Sequence, residues 1–450
     1  MSGAGEMAPK ITIIGAGSLV FTPHILADIA MSEDLKGVEV CLMDVDKERL
    51  DLMAKLSDRI VAERKADMTV GQSTNRAEAL RKADYVVISI SVGTDIEKLD
   101  IEIPAKYGFF TPVGDTTGPQ GFPRALRHIP VIVDIVKDVQ RICPDAFALN
   151  VTNPMTALCT AVRRTSEVNF VGLCVGIYGT KSFLAKLLNE TPEDLTLLAG
   201  GINHFTWAKE ILVKGRDGYD RVQKAWDDIR RSQSKDEIIR KIRGHYVSFL
   251  LYEKLGLFPS PGDAHVAEFL PYFLREEAEK GASYGLTLYP KGTIYDPKWR
   301  EEAWSRLVKW ATGKGSIDEL FKETFTEEAL VIKVLESLVS GRNDFYEAVN
   351  VPNAGAIPGL SDDAVVEVPA IVGDVGVRPV HIGPLPEAIE AILRHQLSHV
   401  SLTVEAALTG DRKTALQALM MHPSVSSMEV AEKMLDELLE RESKYLPQFR

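Results

Sequence analysis

The stretch Lys10-Ile-Thr-Ile-Ile-Gly-Ala-Gly-Ser18 decides the fold. Its β-branched run is a short strand, and the glycines that end it allow a tight turn into the helical pattern that continues to Ala30. A second apolar run, Val38 to Met43, ends at Asp44, about 27 residues after the glycines. Further buried strands are predicted at Asp84–Ile90, Ala146–Asn150 and Asn169–Cys174, with a helix following from about Thr180 to Asn189. Strands separated by helix-length segments predict βαβ units, and hence a Rossmann-type, doubly wound parallel sheet of the α/β class.

The glycine turn in that context is a dinucleotide signal. Gly15, Ala16, Gly17 and Ser18 would let the backbone approach a pyrophosphate at a helix N-terminus. Val20 stands where the fingerprint has its third glycine, so the motif alone is short of the full pattern. Asp44 supplies the missing weight: a carboxylate at the end of the second strand binds ribose hydroxyls and repels a 2′-phosphate, which favours NAD over NADP. Asn150, at the end of another strand, is a further candidate cofactor contact. The bland alternative is an ordinary strand–helix turn beside an exposed acid.

After about Pro192 the texture changes. Thr196 to Leu212 looks strand-like, charged amphipathic helices are predicted over 220–256, and more helices over 298–312, 325–340 and 383–410. The span 350–369 reads as loops and strands. We therefore expect two domains, a NAD-binding domain over 1–195 and a mixed α+β domain over 196–450, in a layout like that of lactate and malate dehydrogenases. The chain has 450 residues and a net charge of −12, which argues against nucleic acid or an anionic membrane as the main partner. Four cysteines are too few for a disulfide scaffold, so a reducing compartment is expected. The first ten residues lack the apolar core of a signal peptide, and no apolar run is long enough to span a membrane; a cytoplasmic protein is expected.

Several polar clusters interrupt apolar segments: Val113-Gly-Asp115-Thr-Thr-Gly118, Asn150-Val-Thr-Asn153-Pro154, Cys174-Val-Gly176, Ile202-Asn-His204-Phe205 and Gly262-Asp263-Ala-His265. Asn153 and Cys174 lie at or just beyond predicted strand ends, where open α/β sheets bind ligands. Cys174 and His204 could hold a divalent metal as thiolate and imidazole, although a buried cysteine and a core histidine account for the residues as well. His395 and His399 stand one helical turn apart without the glutamate of a metalloprotease motif, so they read as a solvated or packed helical face.

Taken in order, these clusters resemble glycoside hydrolase family 4, the NAD- and metal-dependent glycosidases, with an α-galacturonidase or α-glucosidase look. Further matching elements are Phe21, Gly201, Ala267-Glu-Phe-Leu-Pro271, Asn350-Val-Pro-Asn353 and Val366-Glu-Val-Pro369, so the likeness runs nearly the whole chain. The resemblance implies a redox-assisted elimination in place of two-carboxylate hydrolysis. NAD takes a hydride from sugar C3, a base removes the acidified C2 proton, and the aglycone leaves C1 with help from an acid. Water then adds and the hydride returns, with Mn²⁺ or another divalent metal polarising the C2 and C3 oxygens. Carried over by motif, Cys174 and His204 are the metal ligands and Asn153 contacts sugar hydroxyls. Asp263 is the C2 base and Asp115 the candidate acid, for which its pKa would have to be raised. A homodimer or homotetramer is implied.

One departure bears on the substrate. Relatives acting on plain sugars often have histidine after the cysteine, and phospho-glycosidases tend to have Asn or Asp, whereas this chain has Val175. Valine argues against a 6-phospho-sugar. The run Val113–Arg124 and His204-Phe-Thr-Trp207 look most like the α-galacturonidase branch; Arg124 or Arg127 could meet a uronate carboxylate, and both could equally cap a helix or pair with surface acids. We expect a glycosidase for a terminal, non-phosphorylated α-glycoside, uronides first. An α-glucosidase, an α-galactosidase or an enzyme for an unusual epimer is the nearest alternative. A NAD-dependent 2-hydroxy acid dehydrogenase or an inactive NAD sensor is more distant. Oxidation of Cys174 would remove a thiolate ligand, so a need for reductant is expected.

Overall fold

A computed structural model describes residues 8–231, 233–289, 296–322 and 326–450. The first seven residues of the N-terminal leader reading, and residue 325 of the helix predicted from there, lie outside the described residues. Six strands, β1 (Lys10–Ile14), β2 (Val38–Met43), β3 (Met68–Ser73), β4 (Tyr85–Ile88), β5 (Phe147–Asn150) and β6 (Asn169–Gly172), pair in parallel in the order β3-β2-β1-β4-β5-β6. The order reverses between β1 and β4, the switch point at which such sheets bind ligands beyond their carboxyl ends. β3 was invisible to the hydrophobic pattern because only Met68 of its six residues is buried, as suits a polar edge strand.

The predicted strand-like stretch over 196–212 is a hairpin, β7 (Leu195–Ile202) and β8 (Phe205–Val213), turning at Asn203-His204. The other strands are β9 (Arg216–Asp217), β10 (Phe258–Ser260), β11 (Asp344–Pro352), β12 (Val365–Gly373) and β13 (Gly376–Pro379). They extend the parallel sheet without a break, in the order β6-β11-β12-β7-β8-β10, all antiparallel, with β13 on β12 and β9 on β8. The joints are narrow. Asn350 is the residue of β11 paired with β6, through Gly172, and Glu367 is the residue of β12 paired with β7, through Gly201.

The helices tie the two parts of the sheet together. Helix Glu387–Thr409 packs on Gly118–Ile142 and Met155–Thr165, Glu327–Ser340 on Phe21–Met31, and Pro297–Ala311 on Lys47–Arg64. C-terminal helices thus cover the parallel sheet, and one apolar cluster runs from Ile11 and Ile13 through Phe205 and Trp207 to Leu393. Each large side chain buried there contributes roughly 1.5–3 kcal/mol. His399 is buried on the packed face of its helix, its Nδ1 2.8 Å from Ala418 O.

Candidate active site

The switch point is closed by glycine and aspartate. Gly15 N and Ala16 N donate to Met43 O at 2.9 and 3.0 Å, which joins the turn to the end of β2. Gly15 has φ +86°, and a Cβ there would stand 2.0 Å from Ser89 O, so no larger residue fits without moving the end of β4. Gly17 N donates to Asp44 Oδ2 at 2.7 Å, and Asp46 N to Oδ1 at 2.9 Å. Val20 caps helix Phe21–Met31 without a side-chain bond, while Phe21 N donates to the Ser18 hydroxyl at 3.2 Å, which ties the turn to the start of the helix. Asn150 is placed differently from the other cofactor candidates. It is fully buried, with Nδ2 bonded to Thr152 O at 2.9 Å and to Met155 Sδ at 3.1 Å, so it braces the turn that presents Asn153.

Beyond β5 and β6, segments far apart in sequence converge. Asn153 Nδ2 donates to Asp115 Oδ2 at 3.1 Å, and Thr116 Oγ1 donates to Asp115 Oδ1 at 2.7 Å. The same Thr116 oxygen lies 2.7 Å from His204 Nδ1. Because the hydroxyl spends its one proton on Asp115, His204 must donate from Nδ1, which leaves the lone pair on Nε2. His204 sits at the hairpin turn with φ +64°, a left-handed backbone that costs about 1–3 kcal/mol. Asn203 pins the turn, donating from its backbone N–H to Thr156 Oγ1 at 3.1 Å and from Nδ2 to Glu367 Oε2 at 2.7 Å.

The ring of His265 lies 4.0 Å, centroid to centroid, from that of His204. Ligating atoms of Asp115, His204 and His265 all fall within 4.8 Å of one another. Burial lowers the pKa of His204 to about 3, with His265 adding to the effect, and burial lowers that of His265 as well. Burial alone would raise Asp115, but His204, His265, the donating Thr116 hydroxyl and the Arg124 cation together outweigh it and hold the carboxyl below its ordinary range. At neutral pH the trio is one carboxylate and two neutral imidazoles, a set of lone pairs suited to a divalent cation. That direction for Asp115 is opposite to what an acid at the leaving group needs.

His265 and Thr116 were not assigned roles from the sequence, although both lie inside the polar clusters quoted for their neighbours. Cys174 stands outside the trio: its buried Sγ accepts from Gly176 N at 3.4 Å, at the start of helix Gly176–Leu188. Asp263 is buried against the N-terminus of helix Tyr246–Leu255, accepting from Val247 N at 2.9 Å and from Ser248 N and Oγ at 2.8 and 2.9 Å. Burial raises its pKa to about 6 against the pull of those donors.

The two arginines separate cleanly. Arg124 Nη1 lies 3.1 Å from Glu97 Oε1 and its Nε 3.3 Å from Asn153 O, so it borders the cluster. Arg127 has no exposed side chain; it holds Asp100 through two bonds of 2.7 and 2.8 Å and also pairs with Glu442. A cation so enclosed cannot meet a substrate carboxylate, which corrects the sequence reading of Arg127. Val175 packs against the main apolar cluster.

Comparison with known proteins bears on this arrangement. Residues 10–190 match the family described as family 4 glycosyl hydrolase, and residues 199–425 match the family 4 glycosyl hydrolase C-terminal domain. The chain is 31% identical to an alpha-galactosidase of Bacillus subtilis over 98% of this chain and 100% of that one. It is 32% identical to an alpha-galacturonidase of Thermoanaerobacterium saccharolyticum over 97% of this chain and 96% of that one. Its fold is similar to a crystal structure of a 6-phospho-alpha-glucosidase from gut microorganisms in complex with NAD and Mn²⁺. There the TM-score is 0.82 and the identity 21%, covering 98% of this chain and 100% of that one.

Proposed function

The chain belongs to family 4 of the glycosyl hydrolases, and we propose that it cleaves a terminal, non-phosphorylated α-glycoside, an α-uronide such as an α-galacturonide before others. Family membership sets aside the 2-hydroxy acid dehydrogenase reading. The observation that carries the proposal is the convergence of Asp115, Asn153, His204 and His265 beyond the strand ends, next to a turn built for a dinucleotide.

Both groups that the family implies fit the residues present. The Gly15–Ser18 turn with Asp44 would hold NAD, and His204 with His265 and Asp115 would hold the metal, Cys174 being the ligand that the family resemblance adds. When bound, NAD would supply hydride transfer at C3 and a divalent metal such as Mn²⁺ would supply Lewis acidity to the C2 and C3 hydroxyls. Asn153, fixed by Asp115, orients a sugar hydroxyl. Asp263 takes the C2 proton, its basicity raised by burial, which lifts its pKa to about 6. Asp115, its pKa held low, is charged while it accepts from Thr116 and Asn153 and serves the leaving group only when it holds a proton, so it is a hydroxyl-orienting carboxylate first. Arg124 offers a guanidinium for a uronate carboxylate beside Asn153. Val175 gives a phosphate no donor, which supports a plain sugar.

In this reading residues 1–195 bind NAD, residues 196–450 add substrate and metal contacts and mediate assembly, and the enzyme works as a cytoplasmic homodimer or homotetramer. The test is hydrolysis of nitrophenyl α- and β-glycosides, uronides included, with NAD, Mn²⁺ and reductant present and then omitted one at a time. Sugar release that needs NAD and metal, with a slower rate for C2-deuterated substrate, is expected. Release of galactose or glucose but no uronic acid would replace the uronide by the α-galactosidase or α-glucosidase reading. Activity indifferent to NAD would overturn the mechanism.

A further inference from the structure

We propose that Glu268 is a positioning residue for the metal trio, acting by fastening the loop of Asp115 to the segment that carries His265. The inference rests on the metal site of the proposed function and assigns a role to a side chain outside it. One oxygen of Glu268, Oε1, accepts from Val113 N at 2.7 Å, from Gly114 N at 2.9 Å and from the Thr111 hydroxyl. All three donors immediately precede Asp115, in a stretch from Gly108 to Thr117 that has no helix or strand to hold it. Gly114 adopts φ +80°, and a Cβ there would meet Ile101 Cδ1 and Thr111 Cγ2 at 2.8 Å, so the loop is closely fitted where Glu268 grips it.

The other end of the grip is rigid. Helical turns Asp263–Val266 and Ala267–Phe269 run together as one short segment. Asp263 anchors it to the helix at Tyr246, and Phe269 O accepts from Gln396 Nε2 at 2.8 Å. The ring of Phe269 stacks on Phe205 at 4.7 Å and 4°, next to His204 in sequence. This frame therefore fixes both imidazoles by itself, but the carboxylate of the trio comes from a different part of the chain. Glu268, three residues after His265, joins that part to the frame through three donors, beside the one contact of Thr116 with His204. A ligand shell is only as good as the relative placement of its members, and supporting groups of this kind are worth about 10–100-fold in metal affinity. The second oxygen, Oε2, is buried without a hydrogen-bond partner, so an amide that keeps Oε1 meets the same requirement.

The test is Mn²⁺ affinity of the full chain, read from the electron paramagnetic resonance signal of free Mn²⁺ without substrate, beside NAD affinity by fluorescence titration. We expect E268A and E268D to weaken Mn²⁺ binding tenfold or more with NAD affinity within about twofold of wild type, and E268Q to restore Mn²⁺ binding to within about threefold. E268D keeps the carboxyl group but shortens the reach, so it decides the matter should E268A not fold. Wild-type Mn²⁺ affinity in E268D, or equal losses of Mn²⁺ and NAD affinity in both shortened variants, would overturn the inference while leaving the glycosidase reading intact. A wild-type protein that binds no Mn²⁺ would overturn both.

Discussion

Replacing Arg127 by methionine tests whether a buried cation near the site belongs to the fold or to the substrate. Its guanidinium is fully enclosed with Asp100 and Glu442, and removing the cation leaves two buried carboxyl groups facing each other. Breaking a buried ion pair from one side costs about 3–5 kcal/mol. With an unfolding entropy of about 2.1 cal/mol/K per residue, that corresponds for a chain of this length to a fall in melting temperature of roughly 3–5 °C at pH 7. The pH dependence carries a further signature. Burial, reinforced by Asp100 and opposed by Arg127, raises Glu442 from 4.5 to about 8, and burial raises Asp100 too. A carboxyl whose folded pKa is raised favours the fold fully while protonated at low pH, and that contribution is lost as pH climbs from about 4.5 towards 8. Taking Arg127 away removes the opposing cation and raises both groups further. Glu442 stays protonated in both folded proteins until pH nears about 8, so the gap in melting temperature between R127M and wild type should widen as pH rises from 7 to 9, where Glu442 ionises beside Arg127 in wild type but not in the variant, measured by scanning calorimetry. An unchanged melting temperature at both pH values, with a selective loss of affinity for uronides, would refute the structural assignment and return Arg127 to the substrate.

Three more outcomes follow from the site. D44S should lower NAD affinity by roughly ten- to a hundredfold, the worth of a charge-assisted bond of about 1.5–3 kcal/mol, and narrow the preference over NADP; fluorescence titration with both cofactors checks it. H204N should weaken Mn²⁺ binding at least tenfold without changing NAD affinity, because the turn at Asn203 stays pinned by Thr156 and Glu367; calorimetric titration of each ligand separates the two. Peroxide should abolish activity and thiol reductant restore it after short exposure, with the loss tracking modification of Cys174 by mass spectrometry; undiminished activity with Cys174 oxidised would remove it from the ligand set.

The parallel half of the fold was legible because buried parallel strands write themselves as continuous apolar runs, and the glycine turn and Asp44 fall where such strands end. The antiparallel half was legible only as texture. β11 reaches the first half through a single residue pair, Asn350 with Gly172, and β12 reaches the hairpin of β7 through another, Glu367 with Gly201; no local pattern encodes joints of that kind. The helix Glu387–Thr409 reads as amphipathic, but nothing in its period says that its partners lie some 250 residues upstream. A boundary near residue 195 therefore follows the sequence texture, while the helix packing crosses it.

The site shows the same division, and it shows why. Gly15, Gly17 and Asp44 are legible because each is tied to a neighbouring strand end, within one supersecondary unit. The trio of Asp115, His204 and His265 is assembled from a loop, a hairpin turn and a helical turn, so no spacing in the chain can announce it. The ordered likeness to a family drew attention to Asp115 and His204, yet it passed over His265 although that residue stands two positions after Asp263. What the structure adds is dependence between these positions: Thr116 sets the tautomer of His204, Asn153 orients Asp115, and Asp263 and Glu268 hold the segment around His265 against its neighbours. If that dependence is real, the effects of H204N and E268D on Mn²⁺ affinity should be less than additive, since a trio already missing one imidazole has less to lose from a misplaced carboxylate. Losses that simply add would mean that Glu268 and His204 act on the metal independently, and the single-frame account of the site would fail.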